Sequence, residues 1–214
     1  MKFSALLAAA PLAAATAHAG RDQPAPFSVT ALRSGSPIHF APLNAAGDRF
    51  YLGGKTVTFC PDDVGVPCDK MSKDTIFSSA STLSPANATG LQDVSVPGGQ
   101  SLYVDKFGAV GFTTAHSVFV PPGSELGPFS YKPNAFGNGN SEWTFGDGFM
   151  ACPVPSNATA SASTRRIRRG AAPVYQVFAA RDDAFVPTGN VSDCLGFDAL
   201  AVPANGTQGA WQYV

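Results

Sequence analysis

Glycine and proline, 22 and 18 of the 214 residues, interrupt this chain at short intervals, and that punctuation limits what it can fold into. Glycine carries the largest backbone entropy cost in a helix, and proline removes an N–H and clashes with the preceding turn. The apolar residues fall instead into short runs of Val, Phe, Tyr and Leu: Phe27 to Ala31, Arg49 to Leu52, Thr56 to Phe59, Ser101 to Val104, Ala109 to Thr113 and Val174 to Ala179. Such runs, bounded by Gly, Pro, Asn and Asp, have strand length and strand composition. Glu125 and Glu142 are the only glutamates, and no useful helical periodicity follows the first residues. The expectation is an all-β fold.

Three apolar pairs echo one another. Phe50-Tyr51-Leu52 precedes Val57-Thr58-Phe59, Leu102-Tyr103-Val104 precedes Val110-Gly111-Phe112, and Phe149-Met150-Ala151 precedes Val174 to Phe178, with first members 52 and 47 residues apart. Similar spacing of three hairpins suggests a β-trefoil-like barrel, closed by pairing a strand near Phe27 with the last strand, Trp211 to Val214. A two-sheet β-sandwich is the alternative.

Lys2, the apolar run from Phe3 to Ala15 and the triplet Ala17-His18-Ala19 have the form of a secretory signal peptide, residues 1–19, cleaved after Ala19. Its apolar core is too short to span a bilayer, and no later segment approaches the roughly 20 apolar residues that spanning needs. Residues 20–214 are therefore expected to be exported as one soluble β-rich domain, without membrane contact. The C-terminal "GAWQYV" lacks the small-residue site, spacer and apolar tail of a lipid-anchor signal.

The four cysteines form an even set, which in an oxidising compartment favours two disulfides over metal or thiol chemistry. Of three possible pairings, the close spacing of "CPDDVGVPC" favours Cys60 with Cys68, leaving Cys152 with Cys194. Asn87, Asn157, Asn190 and Asn205 each head an Asn-x-Ser/Thr triplet without a middle proline, the acceptor for N-glycans. The chain has 14 Lys plus Arg against 15 Asp plus Glu. Four of those cations, Arg165, Arg166, Arg168 and Arg169, crowd into residues 156–172, an Ala/Ser/Thr/Arg-rich insertion expected to be an exposed, disordered and solvated basic loop, with dibasic cleavage at its Arg pairs as the alternative. The remaining body is mildly acidic, which argues against nucleic acid as a partner.

"GFTTAHS" places His116 behind Thr-Ala, a setting similar to the catalytic histidine of trypsin-like proteases. Such an enzyme also needs a nucleophile and a carboxylate in hydrogen-bond reach. No Gly-Asp-Ser-Gly-Gly segment is present, and Ser141 lies in a Gly/Asn turn. Two distant histidines, His39 and His116, do not make a zinc set, and the pairs Asp62-Asp63 and Asp182-Asp183 lack a calcium-loop pattern. No catalytic, cofactor-binding or metal-ligating residues are therefore assigned. Trp143, Trp211, Tyr51, Tyr103, Tyr131 and Tyr213 offer flat faces for a polysaccharide, though most such rings pack in cores.

"ALRSGSPIH", "RFYLGG", "VPGGQSLYVDKFGAVGFTTAHS", "DCLGFDAL" and "GAWQYV" occur in order across residues 31–214. Together they resemble the fungal cell wall protein PhiA family, whose relatives include proteins described as IgE-binding. The resemblance implies a secreted, wall-associated glycoprotein of phialide and conidium development with a protective role under stress, and implies no catalytic residue and no cofactor. The competing expectation is a lectin-like module whose partner is chitin or β-glucan, and a secreted hydrolase comes third.

Overall fold

The computed structural model describes residues 25–61, 65–78, 91–137, 139–155 and 173–214. The expected signal peptide at 1–19, Asp62-Asp63, Asn87, Asn157 and the 156–172 segment with its arginine pairs lie outside the described residues.

The described chain is all-β. Strands run β1 Phe27–Leu32, β2 Leu43–Ala46, β3 Arg49–Leu52, β4 Thr58–Phe59, β5 Phe77–Ser78, β6 Leu91–Gln92, β7 Leu102–Val104, β8 Val110–Phe112, β9 Phe129–Gly137, β10 Asn140–Phe145, β11 Phe149–Pro153, β12 Tyr175–Ala179, β13 Leu195–Pro203 and β14 Gln212–Tyr213. Twelve of them form one antiparallel sheet along the path β6-β5-β1-β13-β11-β12-β3-β8-β7, with β10, β9 and β2 attached beside it. A single bridge, Leu91 opposite Ser101, joins the two ends of that path.

Two of the three echoed hairpins form. Leu102 lies opposite Phe112 and Val104 opposite Val110, and Phe149 lies opposite Ala179. The first does not, because Phe50 pairs with Ala45 of β2 while Thr58 pairs with Tyr213. The closing strand also differs from expectation: Phe27 lies opposite Pro203 of β13, and β14 takes β4 as its partner. The three-fold echo thus does not organise the chain, and a trefoil barrel is replaced by a sandwich-like arrangement. A few apolar residues per repeat record which strands are inward-facing but say nothing about which strand each one pairs with.

Strand β13 makes that arrangement possible. One edge pairs with β1 from Asp198 to Pro203, while the other pairs first with β11 and then with β10. Its backbone therefore belongs to both halves of the sheet, and the residues inside face a common core. Side-chain alternation supplies that core: Phe27, Val29 and Ala31 of β1, Phe50 and Leu52 of β3, and Phe197, Ala199 and Ala201 of β13 are buried. The rings form a continuous array, with Phe50 5.3 Å from Phe112, Phe77 5.6 Å from Phe50 and 4.9 Å from Trp143, and Trp143 4.7 Å from Phe149. Aromatic pairs at these separations add about 0.5–1.5 kcal/mol each beyond their buried area.

The C-terminus is fastened to this core by side chains standing in for a strand. Gln100, fully buried, accepts from the Tyr213 N–H through Oε1 at 2.8 Å and donates through Nε2 to the Tyr213 carbonyl at 3.0 Å. The Tyr213 hydroxyl accepts from Ile76 N at 2.8 Å and donates to the Asp74 carbonyl at 3.0 Å.

Burial pushes the Tyr213 hydroxyl up to about 12, whereas an unfolded tyrosine ionises near about 10. Its contribution to stability is therefore complete below about pH 10 and is lost as pH rises from about 10 toward about 12. Tyr213→Phe is expected to cost about 1–3 kcal/mol at neutral pH, by leaving the Ile76 N–H unpaired, and to flatten the alkaline decline. Urea unfolding of both proteins at neutral pH and near about pH 11 measures the two effects.

Candidate functional site

The candidate surface lies on the outer face of β3, β8 and β7, where alternation sends every second residue away from the aromatic core. Arg49 of β3 lies opposite Gly111 of β8, and Gly111 lies opposite Tyr103 of β7. A Cβ on Gly111 would collide with the Arg49 guanidinium and approach Tyr103 Cζ to 2.8 Å. The missing side chain is thus the gap through which Arg49 crosses the sheet. Arg49 Nη1 donates to the Tyr103 hydroxyl at 3.0 Å, and Nη2 pairs with Asp105 Oδ2 at 2.8 Å. Burial raises the Tyr103 hydroxyl above its ordinary value, opposed by the adjacent Arg49 charge.

Asp105 also shapes the turn that follows β7. Its Oδ1 accepts from Phe107 N at 2.9 Å and Ala109 N at 3.0 Å, while Gly108, with φ +88°, closes the turn back onto the Asp105 carbonyl. That geometry holds Phe107 outward. The loop after β12 meets the turn through Phe185 N, which donates to the Phe107 carbonyl at 3.0 Å. The two rings stand 5.9 Å apart, tilted by 53°, with Phe185 73% and Phe107 49% exposed.

A second, smaller apolar cluster supports this loop from below: Ala109, Met150, Cys152, Phe178, Ala184 and Val186. Strand β11 therefore buries both faces, Phe149 and Ala151 toward the main core, Met150 and Cys152 toward the loop. The Cys152–Cys194 disulfide ties β11 to the end of the loop, and Cys60–Cys68 closes a separate short loop. Between turn and loop lies an open groove of about 520 Å³, lined by Arg49, Phe107, Gln176, Phe178, Phe185 and Thr188 among others.

A second groove of about 510 Å³ on the face of β10 and β13 contains Arg33, Lys132, Glu142, Asp147 and Asp198. Glu142 there is bound to Lys132 at 3.1 Å. His116 is exposed at φ 61° in the turn closed by Ser117 N on the Thr114 carbonyl, and Ser117 Oγ accepts from Phe119 N. Its sequence context thus reflects a turn. His39 accepts from Arg33 N through Nδ1 at 3.2 Å, and its ring lies tilted against Phe40 at 4.0 Å. Among the described residues, no group of three or more His, Cys, Asp or Glu is placed to hold a metal.

Of the six rings considered for sugar contact, Trp143, Tyr103 and Tyr213 are buried, while Trp211, Tyr51 and Tyr131 are partly covered. The exposed rings are phenylalanines. Phe185 could have been suspected from "RDDAFVPTGN", where one large apolar residue stands in a loop of Asp, Pro, Gly and Asn. Asn190 and Asn205 are exposed, and the Asn190 side chain accepts from Ser192 N at 3.1 Å, capping a short 3₁₀ turn, Val191–Asp193.

These features describe a disulfide-cross-linked β-protein with open surface grooves. The family model for "PhiA-like secreted protein" matches residues 27–214, and the chain belongs to that family of secreted proteins. It is 38% identical over 213 residues to an "Uncharacterized secreted protein" of Arthroderma benhamiae, covering 94% of this chain and 93% of the relative. Neither description names an enzymatic activity. No solved structure matches.

Asp105→Ala removes the partner of a largely buried arginine and two turn hydrogen bonds, and is expected to destabilise the protein by about 2–4 kcal/mol. Lys132→Ala, which breaks an exposed pair, is expected to cost less than about 1 kcal/mol. Chemical denaturation of the two variants side by side checks the contrast.

Proposed function

We propose that this protein is a structural and protective glycoprotein of the fungal cell wall, acting in phialide and conidium development and under stress without catalysing a reaction. Membership of a secreted family, two disulfides and a tightly fastened β-fold support that reading. The observation that carries it is the closure of the chain on itself. Val214 N donates to the Val57 carbonyl and the Val214 carbonyl accepts from Gly47 N, both at 3.0 Å, so strand β14 is tied on both sides to segments far from it in sequence. Segments whose backbone hydrogen bonds are made within the fold open locally less often, and proteases cut at such openings. The sequons at Asn190 and Asn205, both on exposed turns, are its proposed glycan sites among the described residues.

Retention by binding wall sugar is the second reading, favoured by one observation, the exposed Phe107 and Phe185 pair over its groove. The hydrolase reading loses support from His116, whose exposed turn brings it no carboxylate hydrogen bond among the described residues.

Fractionation of the native wall, followed by intact-mass analysis of the released protein, tests the proposal. The expected product is an oxidised, glycan-bearing protein recovered from the wall fraction and resistant to protease until reductant is added. Recovery from the medium alone, or a bare reduced chain, would remove the wall glycoprotein reading.

A further inference from the structure

We propose that the groove between Phe107 and Phe185 is a binding site for an uncharged, β-linked hexopyranose chain, the chemistry shared by chitin and β-glucan. The inference deepens the sugar-retention reading above and assigns it a place.

Three features of the groove select this ligand. Its apolar wall is made of two rings that the fold holds outward, although burying a phenylalanine is worth about 1.5–3 kcal/mol. Phe107 is fixed by the Asp105 turn and Phe185 by its backbone bond to Phe107, so neither ring is on a loose segment. Adjacent exposed rings of this kind mark a binding surface. A β-linked pyranose with equatorial substituents presents only C–H groups on its two faces, which match the rings, and its hydroxyls at the edges.

The edge groups have partners. Arg49, Gln176 and Thr188 line the same groove. A guanidinium carries about five N–H donors, of which Tyr103 and Asp105 each take one. Thr188 Oγ1 is engaged with the Asn190 backbone, so the groups a purely hydrophobic ligand would strand are the remaining Arg49 donors and the Gln176 amide.

Charge gives the groove no net pull on an anionic ligand. The Arg49 charge is balanced by Asp105 at 2.8 Å, the two being the ionisable acid and base that line the groove among the described residues. Lys106 stands 4.8 Å from the Phe107 ring centroid but does not line the groove. The floor beneath, Phe178, Ala109 and Val186, is braced by the cluster that contains Cys152, so the groove is formed before any ligand arrives. A volume of about 520 Å³ and an open side suit a segment of a long polymer rather than an engulfed small molecule.

The test is cosedimentation of the full secreted protein with particulate chitin and, separately, particulate β-1,3-glucan. The wild type is expected to pellet with at least one polymer, and which one identifies the source. Phe185→Ala and Phe107→Ala are expected to weaken that binding by roughly tenfold or more, while Phe185→Tyr stays within about threefold. Phe40→Ala and Phe119→Ala, exposed rings that do not line the groove, are expected to bind as the wild type does. Thermal unfolding confirms that the Phe185 variants, altered at an exposed ring, are folded. Undiminished binding by Phe185→Ala and Phe107→Ala would overturn the groove assignment while leaving sugar retention standing. No pelleting of the wild type with either polymer would overturn both.

Discussion

Strand β13 has one backbone and three sets of neighbours, and the rest of the molecule depends on how its hydrogen bonds are shared. By pairing with β1 on one edge and with β11 then β10 on the other, Leu195–Pro203 links the two halves of the sheet. The enclosed space is filled mainly by rings, from Phe112 through Phe50 and Phe77 to Trp143 and Phe149. Small residues on β13 itself, Ala199 and Ala201, leave room for them. Bulky inward residues at those positions would compete with Phe77 and Trp143 for volume that close packing does not offer.

The outer face follows from the same alternation read the other way. Gly111 is the position on which it turns, since only an absent side chain lets Arg49 reach Tyr103 and Asp105 across an intervening strand. Asp105 then spends its second oxygen on the turn that exposes Phe107. The Cys152–Cys194 bridge serves the opposite wall, holding the loop that exposes Phe185. Groove and scaffold are therefore one construction, with the disulfide stabilising both the fold and the wall of the groove. Its stability is connected to its surface chemistry through Asp105, Gly111 and Cys152 in particular.

The segments by which the chain resembles its family gather at these points. "RFYLGG" supplies Arg49, "SLYVDKFGAVGF" supplies Tyr103, Asp105, Phe107 and Gly111, "DCLGFDAL" carries the bridging Cys194 and enters β13, and "GAWQYV" carries Tyr213 into its clamp. Phe185 lies outside all of them. His116, the most suggestive residue of "GFTTAHS", turns out to sit where a turn needs a positive φ. Thr113 in the same stretch does more for the fold, since it is buried, its hydroxyl accepts from Ser101 N and its carbonyl from Gln100.

What the sequence determined by itself is what local chemistry decides. Frequent Gly and Pro exclude long helices, alternation marks Phe27, Val29, Phe50 and Leu52 as inward, and an even cysteine set favours disulfides. These follow from each residue and its near neighbours. Partner choice does not: nothing near Thr58 announces that its strand pairs with Tyr213, 155 positions later, instead of with the adjacent Phe50. Nor does composition distinguish Trp143, 3% exposed within the ring array, from Phe185, 73% exposed on a braced loop. Burial belongs to the space between strands that are distant in sequence, so which rings became the core and which were left facing water was settled by how those strands pack.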